Sequence, residues 1–292
     1  MAVYEISNGK ITVSVDSRGA EMRSLRRIDT GEEYMWSGNP EYWGKVSPLL
    51  FPLVGTLKGN EYCFGGKAYA MGRHGFARDK EFKLVSQVSA EMWLALEADE
   101  ETRKIYPFDF RLEVGYRLEG MRVKVLWRVE NPSDEPVYFS IGGHPAFRCP
   151  FNSGEDRSGY YLDFDGNETI QCTRLDENGL ISERKVVYKT EGGMLPVREE
   201  LFCEDAMIME NGQLHSIALL TPEKKPYIRV EFAMPVVAVW TPAGKNAPFI
   251  CIEPWYGTSD SSDFAGTWEE RKWGNKVEPG KRFAAEYTVD IG

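Results

Sequence analysis

The chain has 292 residues with 35 Lys or Arg and 45 Asp or Glu, which gives a formal net charge of −10, and 42% of its residues are hydrophobic. This composition supports a sizeable core, while the acidic balance argues against a general nucleic-acid binder, which needs a net basic face. The sequence has no apolar run long enough for a membrane-spanning helix, and residues 1–10 lack the basic and apolar regions of a signal peptide, so we expect a cytoplasmic protein without a membrane partner.

In chain order, the predicted elements are mostly strands. Apolar and polar residues alternate, with the period of two that is typical of half-buried antiparallel strands, over residues 11–15, 121–129, 228–232 and 283–289. Short helices are predicted only near residues 198–203 and 267–272, where Thr267 is a suitable N-terminal cap. Turn-forming Gly, Asn, Asp and Pro recur between the strands. We therefore predict an all-β fold, a single large antiparallel β-sandwich domain over residues 1–292 with few short helices.

Five cysteines are spread through the chain without a Cys-x-x-Cys pair, namely Cys63, Cys149, Cys172, Cys203 and Cys251. Structural zinc sites usually contain pairs of cysteines that are close together in sequence. The wide spacing therefore predicts free, buried thiols and no structural metal site.

Two of the three histidines lie in unusual sequence contexts, and the first of these is His74. It lies between Arg73 and Gly75, in a segment whose glycines permit a sharp turn and the close approach of a ligand. Arg73 and Arg78 add donors suited to hydroxyl or phosphate oxygens. A turn histidine beside surface arginines is an equally simple interpretation. The third histidine, His215, is expected to be an ordinary surface or packing residue.

The second histidine, His144, follows Gly142 and Gly143 and precedes Pro145, which favours an extended conformation for His144. The two glycines permit backbone conformations that other residues avoid. A histidine fixed in this way is suited to deliver a proton into a cleft. The alternative is a histidine that merely ends a hairpin.

Glu253 is the single charged residue in the apolar run over residues 249–256. Burying a carboxylate is costly unless it is paired or hydrogen-bonded, so this position favours a functional acid whose pKa is raised toward the range of a general base. Asp205 is a weaker candidate of the same kind, because a turn also explains it. The aromatic face of Trp255 suits the C–H face of a sugar, although core packing explains this residue equally well.

Four segments occur in a characteristic order, namely SPLLFPLVGTLKG at residues 47–59, GRHGFARDKEF at 72–82, GGHPAF at 142–147 and CIEPWYGTSD at 251–260. Together they resemble the aldose 1-epimerase (galactose mutarotase-like) family, and in particular its bacterial LacX-like branch. The resemblance covers most of the chain and implies the large antiparallel β-sandwich of that family, the supersandwich. It also implies interconversion of the α and β anomers of an aldose without a metal or an organic cofactor.

The same resemblance implies roles for individual residues. Glu253 would be the general base and His144 the general acid. His74 would hydrogen-bond the sugar and help to stabilise charge near the ring oxygen. The remaining substrate-binding residues would be Arg78, Asp205 and Trp255.

Thr56 stands where related sequences often carry an arginine, so that Arg73, Arg78 or Lys58 would have to supply this cation. The cations around the HGF segment, Arg73, Arg78 and Lys80, also keep open the same chemistry on a hexose 6-phosphate, because a phosphate dianion needs converging cationic donors. The expected partner is therefore a small sugar or sugar phosphate. The protein is expected to be a monomer or a homodimer.

Two further classes of function remain open from the sequence alone. A non-catalytic sugar-binding or sensing protein can use the same fold, although it has no need of an acid–base pair such as His144 and Glu253. A glycoside hydrolase usually needs two facing carboxylates, and Glu253 has only Asp205 as a candidate partner.

Overall fold

The computed structural model describes residues 2–292. Its strands are β1 Val3–Ser7, β2 Ile11–Asp16, β3 Glu21–Arg27, β4 Leu49–Leu50, β5 Glu61–Phe64, β6 Lys67–Ala70, β7 Lys83–Val88, β8 Glu91–Glu97, β9 Arg111–Glu119, β10 Arg122–Glu130, β11 Val137–Phe139, β12 Ile141–Gly143, β13 Ala146–Arg148, β14 Tyr161–Asp163, β15 Thr169–Leu175, β16 Ile181–Lys189, β17 Met194–Pro196, β18 Met207–Met209, β19 Ser216–Leu220, β20 Pro226–Phe232, β21 Val236–Trp240, β22 Phe249–Tyr256, β23 Asn275–Val277 and β24 Arg282–Asp290. One α-helix, α1, covers Glu100–Ile105, and short 3-10 helices in this part of the chain cover Lys58–Asn60, Ala77–Asp79, Arg157–Gly159, Glu199–Phe202 and Trp268–Glu270.

Two large sheets organise the fold. The nine-stranded sheet has the order β17-β14-β19-β20-β24-β10-β9-β8-β7, and the eight-stranded sheet has the order β16-β15-β18-β21-β22-β12-β4 with β13 also paired to β22. Three small sheets are formed by β1-β2-β3, β5-β6 and β11-β23. The strand pairs within these sheets are antiparallel. The predicted all-β antiparallel sandwich is therefore confirmed.

The two large sheets share one apolar core. Ile250 and Ile252 of β22 belong to this core together with Val123 and Val125 of β10. Because successive side chains of a strand point to opposite faces, the alternate residues Cys251, Glu253 and Trp255 of β22 point to the outer face of the eight-stranded sheet. That outer face carries its own small apolar clusters. This double coverage explains why β22 is apolar along nearly its whole length.

The four strands that were predicted from alternation correspond to β2, β10, β20 and β24. Both predicted helices are present as shorter 3-10 helices, at Glu199–Phe202 and Trp268–Glu270. Thr267 caps the second, and its backbone N–H donates to the Glu270 carboxylate at 2.8 Å.

The helix α1 was not predicted, because its sequence EETRKI carries no apolar stripe. The available signal was its capping box. Asp99 accepts a hydrogen bond from the Thr102 N–H at 2.7 Å, and the Asp99 N–H donates to the Thr102 hydroxyl at 2.8 Å.

The five cysteines are free, as predicted, and Cys149, Cys172 and Cys251 are buried. The predicted burial is wrong for Cys63 and Cys203, which are exposed. Within residues 2–292, none of the helices has the length and apolar character needed to cross a bilayer.

Candidate active site

A cavity of about 500 Å³ lies on the outer face of the eight-stranded sheet. All six residues singled out as catalytic or substrate-binding line it, namely His74, Arg78, His144, Asp205, Glu253 and Trp255. They come from separate parts of the chain, and the tertiary structure brings them together. His215 is exposed and does not line this cavity, which agrees with its interpretation as a surface residue.

The sheet positions the two central polar side chains. Glu253 and Trp255 both reach the cavity because they are alternate residues of β22. Ala238 of β21 lies directly opposite Glu253 and adds no bulk there. His144 follows directly after β12, whose Gly142 is paired with Trp255.

The two glycines before His144 make room for neighbouring side chains. A Cβ on Gly142 would lie 2.5 Å from Cδ1 of Trp255, and a Cβ on Gly143 would lie 2.9 Å from the ring of Tyr287, which belongs to the opposite sheet. Both glycines lie in β12 without a positive φ. The expectation of an unusual backbone at this pair is therefore wrong, because close packing from two sides is what requires glycine here.

His144 and Glu253 form a buried pair. The Nε2 atom of His144 lies 3.3 Å from Oε2 of Glu253, and their side chains are only 9% and 2% exposed. Burial lowers the pKa of His144 to about 3, and burial raises the pKa of Glu253 well above its usual range. Each group therefore favours its neutral form, and together the pair holds one proton over a wide pH range.

His74 is a buried, neutral imidazole that two donors approach. It adopts a positive φ of 69°, and burial lowers its pKa well below its usual range. The Gly55 N–H points at Nδ1 at 3.1 Å, and the Nε–H of Arg73 points at Nε2 at 3.2 Å. A neutral imidazole has a single acceptor nitrogen, so only one of these two contacts is a hydrogen bond in a given tautomer.

Arg73 and Arg78 are the cations that line the cavity. Nη2 of Arg73 lies 3.3 Å from Oδ2 of Asp205, and Arg78 donates to the backbone carbonyl of Arg73 at 2.8 Å. Lys58 instead donates to the carbonyl of Phe264 at 3.0 Å. Lys80, which follows the 3-10 helix Ala77–Asp79, does not line the cavity either. The structure thus decides which cations of the sequence can meet a ligand.

Asp205 lies in a tight turn with a positive φ of 64°. Its carboxylate accepts a hydrogen bond from the Ala206 N–H at 2.9 Å in addition to the contact with Arg73. The buried Arg174 fastens this segment, because its guanidinium donates to the carbonyls of Leu201 and Ala206 at 3.2 and 3.3 Å. Asp205 is therefore a turn residue that also lies in the cavity wall, and its role in holding a sugar stays a prediction.

Sequence reasoning missed two aromatic residues of the cavity, Trp43 and Trp240. The ring of Trp43 stacks on His144 with centroids 4.7 Å apart and an interplanar angle of 28°. Trp240 meets His144 edge-on at 5.5 Å and 84°. Trp43 lies four residues before the SPLLFP segment, but no spacing in the sequence indicates that it meets a histidine a hundred residues later.

Among residues 2–292, one group of His, Cys, Asp or Glu side chains is close enough to hold a metal ion. The ligand atoms of His144, Cys251 and Glu253 lie within 4.8 Å of one another, and all three residues are buried. Burial raises the pKa of the Cys251 thiol well above its usual range, which disfavours the thiolate that binds metals. A metal at this point would also occupy both members of the His144–Glu253 pair.

Comparison with known proteins gives matches along the whole chain. Residues 2–289 match the family described as aldose 1-epimerase. The chain is 29% identical, over 296 residues that cover 98% of both chains, to the chromosomal protein LacX of Lactococcus lactis subsp. lactis. It is similar to the structure of a galactose mutarotase related enzyme from Lactobacillus acidophilus, with 35% identity, a TM-score of 0.94 and coverage of 100% of this chain and 97% of that one. A galactose mutarotase-like protein from Lactobacillus casei ATCC 334 has 27% identity, a TM-score of 0.91 and full coverage of both chains.

Proposed function

Because the chain belongs to the aldose 1-epimerase family, we propose that it is a mutarotase, an isomerase that interconverts the α and β anomers of an aldose by opening and reclosing the sugar ring. The observation that carries this proposal is the buried pair of His144 and Glu253, whose Nε2 and Oε2 atoms lie 3.3 Å apart on the wall of a sugar-sized cavity. A protein that merely binds a sugar has no need of two buried proton-transfer groups, which are costly to bury.

In the proposed mechanism, Glu253 removes the proton of the C1 hydroxyl while His144 protonates the ring oxygen, O5, as the C1–O5 bond breaks. Rotation about C1–C2 presents the other face of the aldehyde, and the two groups then exchange roles as the C1–O5 bond reforms. In the free site burial places the shared proton on Glu253, so this step begins after that proton has passed from Glu253 to Nε2 of His144 across their 3.3 Å contact. Ring opening then converts the charged form of the pair back into the neutral form, which burial favours. Since both forms hold one proton, the cycle needs none from solvent.

The other polar groups of the cavity would hold the sugar. Arg73 lines the cavity beside His74, and its N–H donors suit a ring or hydroxyl oxygen. Asp205 accepts hydrogen bonds and suits sugar hydroxyls, and the face of Trp255 suits the C–H face of the ring. Arg78 lies beside them and adds further donors.

The test removes each proton-transfer group in turn. Glu253→Gln and His144→Asn should each lower kcat by roughly 10²- to 10⁴-fold, because each deletes one of the two proton-transfer groups. The rate is measured as α–β exchange at equilibrium by saturation-transfer NMR on glucose and galactose. Circular dichroism checks that each variant keeps the wild-type sheet content.

The matched control is His215→Asn, an exposed histidine outside the cavity, which should leave the exchange rate unchanged. A wild-type rate in either purified cavity variant would contradict the assigned roles. Sugar binding by the wild-type protein without any acceleration of exchange would identify it as a binding or sensing protein.

A second candidate substrate class, a hexose 6-phosphate, is favoured by one observation. Arg73 and Arg78 both line the cavity, and paired cations are what a phosphate dianion requires. Asp205 already faces Arg73 at 3.3 Å and works against this alternative, because it neutralises one of the two cations. Measuring kcat/KM on glucose and on glucose 6-phosphate separates the classes, and a neutral sugar that reacts as fast as its phosphate excludes the second.

A further inference from the structure

The imidazole of His144 has no hydrogen bond that fixes its orientation. Its Nδ1 atom is buried and has no hydrogen-bond partner among residues 2–292. Histidines at functional sites are usually oriented by a carboxylate or a carbonyl that meets the second ring nitrogen. The remaining polar contact, between Nε2 and Glu253, is with the group that must itself exchange protons with substrate. The orientation of the ring must therefore come from packing.

Three rings surround this imidazole, and only one of them covers its face. Trp43 stacks on it at 4.7 Å and 28°. Trp240 and His74 meet it edge-on, at 5.5 Å and 84° and at 5.8 Å and 83° respectively. Tilting the imidazole out of its plane would therefore push it directly into the indole of Trp43.

Trp43 is itself held from several sides. The indole N–H of Trp36 donates to the backbone carbonyl of Trp43 at 2.9 Å. The Trp43 ring also stacks on Phe249 of β22, with centroids 5.7 Å apart and an angle of 26°. A strand of the eight-stranded sheet thus supports the indole.

The segment that carries Trp43, residues 37–45, is fastened to two neighbouring parts of the chain. Lys45 forms an ion pair with Asp79 at 2.9 Å. The ammonium group of Lys245 donates to the carbonyls of Glu41 and Tyr42 at 3.4 and 3.2 Å. These ties fix the position of the indole without touching His144.

We propose that Trp43 is a positioning residue, which holds the imidazole of His144 at the angle needed for proton transfer to the sugar ring oxygen. The proposal rests on the mutarotase function proposed above. A neutral indole orients the ring without placing a charge beside it. A carboxylate at Nδ1 would instead stabilise the imidazolium and add a negative charge to the buried site.

The test compares three variants of one segment. Trp43→Leu removes the stacked face, Trp43→Phe keeps an aromatic face, and Tyr42→Leu is the matched control, because Tyr42 packs edge-on against Trp36 and does not line the cavity. We expect Trp43→Leu to lower kcat by roughly 10- to 100-fold with a much smaller change in KM, since a misplaced proton donor affects the transition state more than binding. Trp43→Phe should recover most of kcat, and Tyr42→Leu should match the wild type.

A second readout follows the ring itself. The ring protons of His144 lie against the face of an indole, so their NMR signals should be shifted upfield in the wild type and in Tyr42→Leu. Trp43→Leu should remove this shift. If Trp43→Leu does not fold, Lys245→Met replaces it, because it loosens the segment from outside the cavity and should lower kcat with little change in KM.

Three outcomes would overturn the proposal. The first is an unchanged kcat in Trp43→Leu, and the second is a raised KM with an unchanged kcat, which would make Trp43 a surface for binding the sugar. The third is a Phe variant as impaired as the Leu variant while the His144 signals remain shifted. A wild-type protein that exchanges no sugar anomers would instead refute the mutarotase function, and the NMR shifts would still show whether Trp43 fixes the ring.

Discussion

A buried acid beside a buried base works against the stability of the folded protein. Counted over the whole residue, Glu253 is 1% exposed and His144 is 7% exposed. Burial raises the pKa of Glu253 well above its ordinary value of 4.5. Above that value the unfolded chain releases a proton that the folded chain retains, so the free energy of unfolding falls as pH rises toward the folded pKa. Burial of this pair therefore lowers the stability of the folded protein while it creates the proposed proton-transfer site.

At the residue scale, we predict that Glu253→Gln stabilises the protein increasingly as pH rises. Gln cannot ionise, so the variant escapes the loss that the wild type suffers above the ordinary pKa of the carboxyl. The melting temperature of the variant minus that of the wild type should be larger at about pH 8 than at about pH 5. Scanning calorimetry at both pH values measures this difference.

A second buried glutamate, Glu210, provides a control of opposite sign. Burial opposes its ionisation, but hydrogen bonds from Lys272, Thr173 and Trp273 outweigh burial and lower its pKa. Glu210→Gln should therefore lose stability relative to the wild type as pH rises toward the ordinary carboxyl pKa of 4.5, and should show no trend between about pH 5 and pH 8. Equal pH trends for the two variants would contradict the assignment of Glu253 as an acid with a raised pKa.

At the scale of the element, β12 shows how a strand is shaped by what packs on it. Its Ile141-Gly142-Gly143 sequence leaves room on one side for the indole of Trp255 and on the other for Tyr287 of β24. The strand therefore carries no side chains at the two positions where Trp255 and Tyr287 approach it. His144 follows directly, so its position depends on this packing.

We predict that Gly142→Ala destabilises the protein by about 1–3 kcal/mol, the usual effect of overpacking. The new methyl group would lie 2.5 Å from Trp255, and the displaced indole would also lower the exchange rate. Urea unfolding and saturation-transfer NMR measure the two effects. Gly72→Ala is the control, because its Cβ would meet nothing within 4 Å and its φ is not positive. Equal stabilities for the two variants would show that β12 can relax around the added group.

At the scale of the whole molecule, the cavity depends on ties between distant segments. A Cβ on Gly55 would lie 2.3 Å from Oγ of Ser259, which shows how closely the first and last of the four sequence segments approach. Asp260 accepts a hydrogen bond from the Lys58 N–H at 3.0 Å and forms an ion pair with Arg271 at 2.7 Å. Both members of this ion pair are only 4% exposed. The tie fixes the segment that carries Gly55, whose N–H lies 3.1 Å from Nδ1 of His74.

We predict that Asp260→Asn lowers the free energy of unfolding by about 3–5 kcal/mol, because it leaves the buried charge of Arg271 without its partner. Urea unfolding at neutral pH measures the change. The exposed ion pair of Arg27 and Asp29 provides the control, and Asp29→Asn should cost less than about 1 kcal/mol. Similar losses of unfolding free energy in the two variants would show that burial does not determine the strength of the Asp260–Arg271 ion pair.

The sequence alone determined the strand-rich architecture and indicated the candidate residues that line the cavity. A period of two appears wherever one face of a strand is buried, so β2, β10, β20 and β24 could be read directly. A lone carboxylate in an apolar run identified Glu253, because a charge is rarely buried without a reason. The catalytic and substrate-binding roles, the single-domain organisation, the cytoplasmic location and the monomeric or dimeric state stay predictions.

The tertiary structure decided what depends on contacts between distant residues. It placed Arg73 and Arg78, and not Lys58 or Lys80, at the cavity. It also set Trp43 on the face of His144 and gave the glycines of β12 a steric role. Local sequence patterns indicate whether each residue is buried or exposed, but they do not indicate which other segment of the chain it contacts. The contacting segment depends on how the two sheets and the loops on the outer face pack together. The site therefore forms only when this packing is complete.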